Sequence, residues 1–240
     1  MRYFLLGCLL VLQIAYVADA QSMSKSKSKA ADSDQLPKFK LVYLKDGPFE
    51  RECSSALNKP IKPEDANEID SRLKEFQSEW EQWGDKYIKW TIDEFHFQFP
   101  YRELRVTLTA CEFPSMSTPF IIYAKGFLSS SPRPHAVTNL PIVIFHEAMH
   151  IYLRAIGDTN LLQGKYSTES KETLAQIPVM ALEVFVLKKS GQEEVLKWLD
   201  TRYRTRFTAY HKRAWEIVND IEGYEKIIAD LKSSANSKPK

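Results

Sequence analysis

The sequence predicts an α+β fold, in which a small sheet is formed early in the chain and a helical part follows it. Three observations carry this. Apolar residues recur at three- and four-residue steps from Ile69 to Trp83, they alternate with period two between about Ile88 and Leu128, and they return to helical spacing beyond Thr138. Strands grouped ahead of helices, rather than alternating with them, point to a sheet packed on helices in one domain.

Each element has its own signals. Pro63, Glu64 and Asp65 open the first helix with residues favoured in a first turn, and Ile69, Leu73, Phe76, Trp80 and Trp83 form its apolar face. Ile88, Trp90 and Ile92, then Phe95, Phe97 and Phe99, read as a strand with a bulge near Asp93 and Glu94. Leu104, Val106, Leu108 and Ala110 predict a second strand, and Phe120 to Leu128 a third, with Gly126 at a bulge or a close backbone approach. Thr138 or Asn139 caps the next helix, which carries Pro141 in its first turn and stops at Gly157. Ser167 or Thr168 caps another, running toward Lys189 with a kink or break at Pro178. Helical patterning continues from about Glu193 to Leu231.

The termini read differently. Arg2, the apolar run Phe4 to Val17 and the small-x-small triplet Ala18-Asp19-Ala20 predict a signal peptide over residues 1–20 and an exported, secreted or periplasmic, mature chain. Leu5-Leu6-Gly7-Cys8 as a lipoprotein site would leave almost no hydrophobic region ahead of the cleavage point. Residues 21–36, rich in Ser and Lys, and residues 233–240 read as a linker and a tail, leaving 37–232 as the folded domain. No later run reaches the roughly 18 apolar residues of a membrane span, so no stable membrane insertion is expected. A net charge of +2 gives no electrostatic case for nucleic acid, and an aromatic content of 12% is enough for a packed core. Cys53 and Cys111 remain after signal removal; export favours a bridge between them over two buried thiols.

The chemistry sits in His146-Glu147-Ala148-Met149-His150. Histidines four apart on a helix lie about 40° apart around its axis, so their imidazoles can chelate one ion, while the glutamate points about 100° away from His146. Glu147 therefore misses the ion but reaches a water bound to it. Zinc with three protein ligands and one open position is a catalytic arrangement; its water approaches a pKa of about 7 and loses a proton to the neighbouring carboxylate. The flanking Val143, Ile144, Ala148, Met149, Ile151 and Tyr152 are uncharged, so the helix is buried, and a buried glutamate among histidines calls for a cation. The plainer alternative has both histidines as satisfied core residues and Glu147 paired with Arg154.

The run from Val143 to Ile151 resembles the signature of zincin metallopeptidases. With no further His and Gly in the metzincin spacing, it is most similar to the gluzincin branch, including the lethal-factor-type and minigluzincin-like catalytic domains. The resemblance covers about residues 139–187. It implies a zincin-like domain, with an N-terminal helix and a small mixed β-sheet packed on the His-Glu-x-x-His helix and a helical part after it. It also implies Zn²⁺ as cofactor, a peptide or protein as substrate, and a third ligand that is a glutamate on the following helix. Glu172 suits best, since Ala175 three residues on would let that face approach the histidines; Glu169 is the rival and Glu183 a distant third. Where some relatives carry an aspartate four residues after the ligand, this chain has Gln176, which can accept a ring N–H without charge assistance. By the same resemblance Tyr166 is the oxyanion donor, with Tyr210 and His211 as rivals, and Pro119 to Leu128 is the edge along which a substrate strand adds, or else an internal strand. The function expected is zinc-dependent peptide hydrolysis, with His146, His150 and Glu172 as ligands and Glu147 as general base. The alternatives are an inactive zincin-like module that binds a partner in its groove, and a helical protein without metal.

Overall fold

A computed structural model describes residues 36–157 and 164–236 of the chain. The expected signal segment, the linker up to Gln35 and residues 237–240 of the expected tail lie outside the described residues. The described architecture is α+β with a small mixed sheet. In chain order the elements are β1 (Lys38–Val42), α1 (Pro48–Leu57), α2 (Pro63–Glu79), α3 (Asp85–Phe95), β2 (Glu103–Thr109), β3 (Met116–Ser117) and β4 (Phe120–Tyr123). Then follow α4 (Leu140–Ile156), α5 (Lys171–Ser190), α6 (Glu193–Thr205), α7 (Ala209–Glu216) and α8 (Tyr224–Asn236).

The sheet order is β1-β2-β4-β3, parallel except for the antiparallel edge pair β3–β4. In β2, Leu104, Val106 and Leu108 are buried while Glu103 and Arg105 are exposed, as alternation requires. Helix α2 packs against β1, and α4 packs against β3 and β4. Helix α5 is the hub of the C-terminal half and touches α4, α6, α7 and α8. It is buried over most of its circumference from Ile177 to Leu187, so a one-sided apolar stripe is absent from its sequence.

Several expectations are corrected. The segment from Ile88 is not a strand: α3 buries Tyr87, Ile88, Thr91, Ile92 and Phe95, a helical spacing hidden beneath β-branched and aromatic residues. It stops at His96, which takes a left-handed φ of 54°. Strand β4 ends at Tyr123 and passes into a 3₁₀ turn over Lys125–Phe127, and it is internal, the alternative left open for it; the sheet edge beyond it is the two-residue β3. Strand β1 and helix α1 have no counterpart among the expected elements. Helix α5 begins later than expected, capped by the Ser170 hydroxyl, which accepts from the Thr173 amide, and it runs unbroken through Pro178. Helix α8 continues to Asn236, past the expected start of the tail. Among the described residues no helix is long and apolar enough to cross a membrane.

Candidate metal and active site

Helix α4 starts with Pro141 in its first turn and ends at Gly157, whose φ of 76° lets its amide close on the carbonyls of Leu153 and Arg154. Twelve of its seventeen residues are buried, so the helix is locked and its polar groups point where packing sends them. Tyr152 adds an anchor, donating to the Phe97 carbonyl at 2.8 Å. His146 and His150 stand one turn apart on this helix and open into a cavity of about 470 Å³. His146 and Glu147 are only 9% and 8% exposed.

The two imidazoles converge: their Nε2 atoms are 3.3 Å apart. Two nitrogens held by a tetrahedral ion at about 2.0–2.1 Å would be separated by roughly 3.3–3.4 Å. On its other side, His146 Nδ1 lies 3.1 Å from the Glu183 carboxylate. A carboxylate only accepts, so that nitrogen carries the hydrogen, and in the neutral ring Nε2 offers its lone pair to the gap. The Tyr203 hydroxyl donates to the same carboxylate at 3.0 Å and sits 3.2 Å from His146 Nδ1. Glu183 thus fixes both the tautomer and the plane of His146.

Gln176, on α5, closes the third side. Its amide group is 3.4 Å from His150 Nε2, and it also faces His146. With the amide nitrogen toward the ring, Oε1 is buried without a hydrogen-bond partner. Exchanging the two amide atoms turns the carbonyl oxygen to the histidines, where a cation would satisfy it, and puts the amide nitrogen in the buried position that Oε1 had held. The donors facing the gap are then two imidazoles and one amide oxygen. Among the described residues no group of three His, Cys, Asp or Glu side chains is placed to hold an ion. The residues fit a divalent cation through His146, His150 and Gln176, with a neutral oxygen where an anionic one was expected.

The electrostatics follow from burial and from Glu183. Burial by itself depresses the His146 imidazolium, but the Glu183 carboxylate outweighs it and raises the pKa above the usual histidine value. His150 is held well below that value by burial, then by His146 and Arg154. Burial pushes Glu147 up, partly offset by His146. Burial and Glu183 raise Tyr203 far above an ordinary phenol, so its hydroxyl remains a donor. His211, lowered to about 4 mainly by burial, lines the same cavity with Tyr210.

The structure brings together His146, Glu147 and His150 with the rival candidates Glu183, Tyr210 and His211, and places Glu172, Glu169 and Tyr166 elsewhere. Glu172 lies in the first turn of α5, exposed, its carboxylate drawn down by a backbone amide there and the Ser170 hydroxyl. Glu169 is paired with Arg213 at 2.9 Å. Tyr166 packs on the hydrophobic core beside Lys165 and is absent from the cavity wall. The helix geometry explains the shift: Gln176 is one turn beyond Glu172, and α5 faces the histidines from Gln176 to Glu183 rather than in its first turn. Glu183 is marked in the sequence as the single charge inside Met180 to Leu187, which must be paired or functional, whereas Tyr203 gave no signal apart from its place on an amphipathic helix. Glu183 also stands beside His146 as its hydrogen-bond partner, a role the expected three-way choice of ligand had not included. No family model, curated protein or solved structure matches the chain.

Proposed function

We propose that this chain is an exported, zincin-like, zinc-dependent hydrolase of peptide bonds, with His146, His150 and Gln176 holding the ion. The observation that carries the reading is the convergence of the two Nε2 atoms, 3.3 Å apart, in a cavity also lined by Glu147. When bound, the ion supplies Lewis acidity to a water molecule and to the scissile carbonyl. Glu147 takes the proton of the attacking water and returns it to the leaving amine. Its burial suits both halves of that task, because a carboxylate of raised pKa is a stronger base and gives the proton back at moderate pH. Glu183 and Tyr203 keep His146 oriented. Tyr210 and His211 are the donors nearest in kind to what a developing oxyanion needs. The test is Glu147→Gln: hydrolysis of a peptide library should fall by at least about a hundredfold with zinc content unchanged. Turnover retained in that variant would place the base elsewhere.

One observation favours a second reading. Gln176 supplies no charge, which suits a zincin-like module that binds a partner without turnover. Zinc analysis and wild-type cleavage separate the two: a folded chain that takes up no zinc and cleaves no library member supports the module.

A further inference from the structure

Arg202 lines the same cavity as the histidine pair, on α6 next to Tyr203. Other partly screened arginines have acids: Arg72 meets Glu68 and Glu75, Arg204 meets Asp200 and Asp220, and Arg213 meets Glu169 and Glu216. Arg202 is more deeply placed and, among the described residues, has no carboxylate within ion-pair distance. Its guanidinium donates through Nη1 to His135 Nε2, while Nε is buried with no partner. Burial lowers its pKa and Arg206 adds repulsion. A half-buried cation with a buried, unpartnered Nε and no counter-charge is costly, so its retention calls for an anion supplied from outside.

The group is also held in one place. Its Cζ lies 4.6 Å from the Trp198 ring centre and 5.3 Å from that of Phe207. His135 is wedged in turn against Phe127 and Trp198, and its backbone amide donates to the Gly126 carbonyl at 2.8 Å. Burial and the Arg202 and Arg206 charges lower His135 to about 4, so at neutral pH it is an uncharged acceptor and takes up no part of the positive charge. A guanidinium fixed between aromatic faces, with donors left over, is preorganised for the planar two-oxygen geometry of a carboxylate.

We propose that Arg202 is the docking point for a carboxylate of the substrate, making acid-bearing peptides the preferred class. This rests on the hydrolase reading for the word substrate, though binding at Arg202 is a separate measurement. The carboxylate comes either from the peptide C-terminus or from an acidic side chain.

One peptide sequence, prepared as the C-terminal acid, as the C-terminal amide, and as the amide with one Gln replaced by Glu, decides it. Binding is measured by calorimetry on Glu147→Gln protein, and kcat and KM on the wild type. The acid form, the Glu form or both should bind about ten- to a hundredfold more tightly than the plain amide, and whichever does so names the source. Arg202→Gln should remove the preference, appearing mainly in KM, and Arg202→Lys should keep only part of it. Equal binding of all three forms, or a preference that survives Arg202→Gln, overturns the proposal even if the amide is cleaved. Arg202-dependent binding without zinc or turnover sustains the carboxylate site and overturns the hydrolase reading instead. Should Arg202→Gln not fold, the comparison of forms on Arg202→Lys serves the same purpose.

Discussion

With three neutral donors, His146, His150 and Gln176, a bound divalent ion keeps its full charge, and the balancing carboxylates, Glu147 and Glu183, stand one step back from it. Such a site holds zinc less tightly than one with an anionic ligand, and it polarises a bound water more strongly. Gln176→Glu should therefore raise zinc affinity, and Glu172→Gln should leave it unchanged, since Glu172 is exposed at the start of α5. Glu183→Gln should lower zinc affinity about ten- to a hundredfold, because it weakens the partner that orients His146. Retention measured against a graded chelator series checks all three; loss of metal in Glu172→Gln would return the ligand to that turn. The histidine pair and Glu147 were legible in the sequence because spacing on one helix fixes their relation. The proposed third donor, Gln176, was not, because it depends on how far α5 slides along α4, a packing distance that no local pattern records. Preference for an anionic residue drew the expectation to Glu172, which lies one turn earlier and is exposed.

At the scale of elements, α2 and α3 form an almost continuous rod joined by a π-helical turn over Trp80–Gly84. Gly84 is there for space: a Cβ built on it would lie 2.3 Å from Trp80 Cε3, and Trp80 is fully buried. Gly84→Ala should destabilise the domain by about 1–3 kcal/mol through overpacking, despite the better helix propensity of alanine. Urea denaturation checks the sign; a gain in stability would show that the Trp80 ring moves freely. The same region shows why α3 was misread, since Ile88, Trp90 and Ile92 alternate as in a strand while burial selects Tyr87, Ile88, Thr91, Ile92 and Phe95. The rod is clamped to the loop after β4 by Glu68, which accepts from the Ser129 amide and hydroxyl, both at 2.7 Å, and pairs with Arg72. Burial opposes the Glu68 carboxylate, but these donors prevail and its pKa is lowered. A depressed carboxylate contributes stability above its unfolded value of about 4.3, and that contribution is lost as pH falls through the folded value. The stability gap between wild type and Glu68→Gln should be full at pH 7 and close on acidification below about pH 4. A gap independent of pH would remove Glu68 from the account.

For the whole molecule, the Cys53–Cys111 disulfide joins α1 to the end of β2 across a separation of 58 residues. The pairing favoured from two cysteines and an export signal is present, although the helix it tethers was not foreseen. Around it lies a small apolar cluster, Phe49 and Ile121 with the half-buried Ile61, Phe113 and Met116, set apart from the main core. Glu50, buried on the same helix, accepts from the Ala110 amide at 2.9 Å and from the Thr109 hydroxyl. So α1 is fastened by a covalent bond, a minor core and a carboxylate satisfied at the end of β2, rather than by a large share of the main core. In the chain-entropy account, closing a loop of this length stabilises a fold by about 4 kcal/mol. The Cys53→Ala, Cys111→Ala double variant should lose about that amount and melt lower by roughly 8–16 °C. The helices bearing His146, Gln176 and Tyr203 are packed by the main core, so zinc retention below the new melting point should be unchanged. Calorimetric melting and zinc content on the same preparations give both readings. A melting point shifted by less than a few degrees would mean that the minor core and Glu50 hold α1 without the bond; loss of zinc at equal folded fraction would show that α1 supports the site through the sheet.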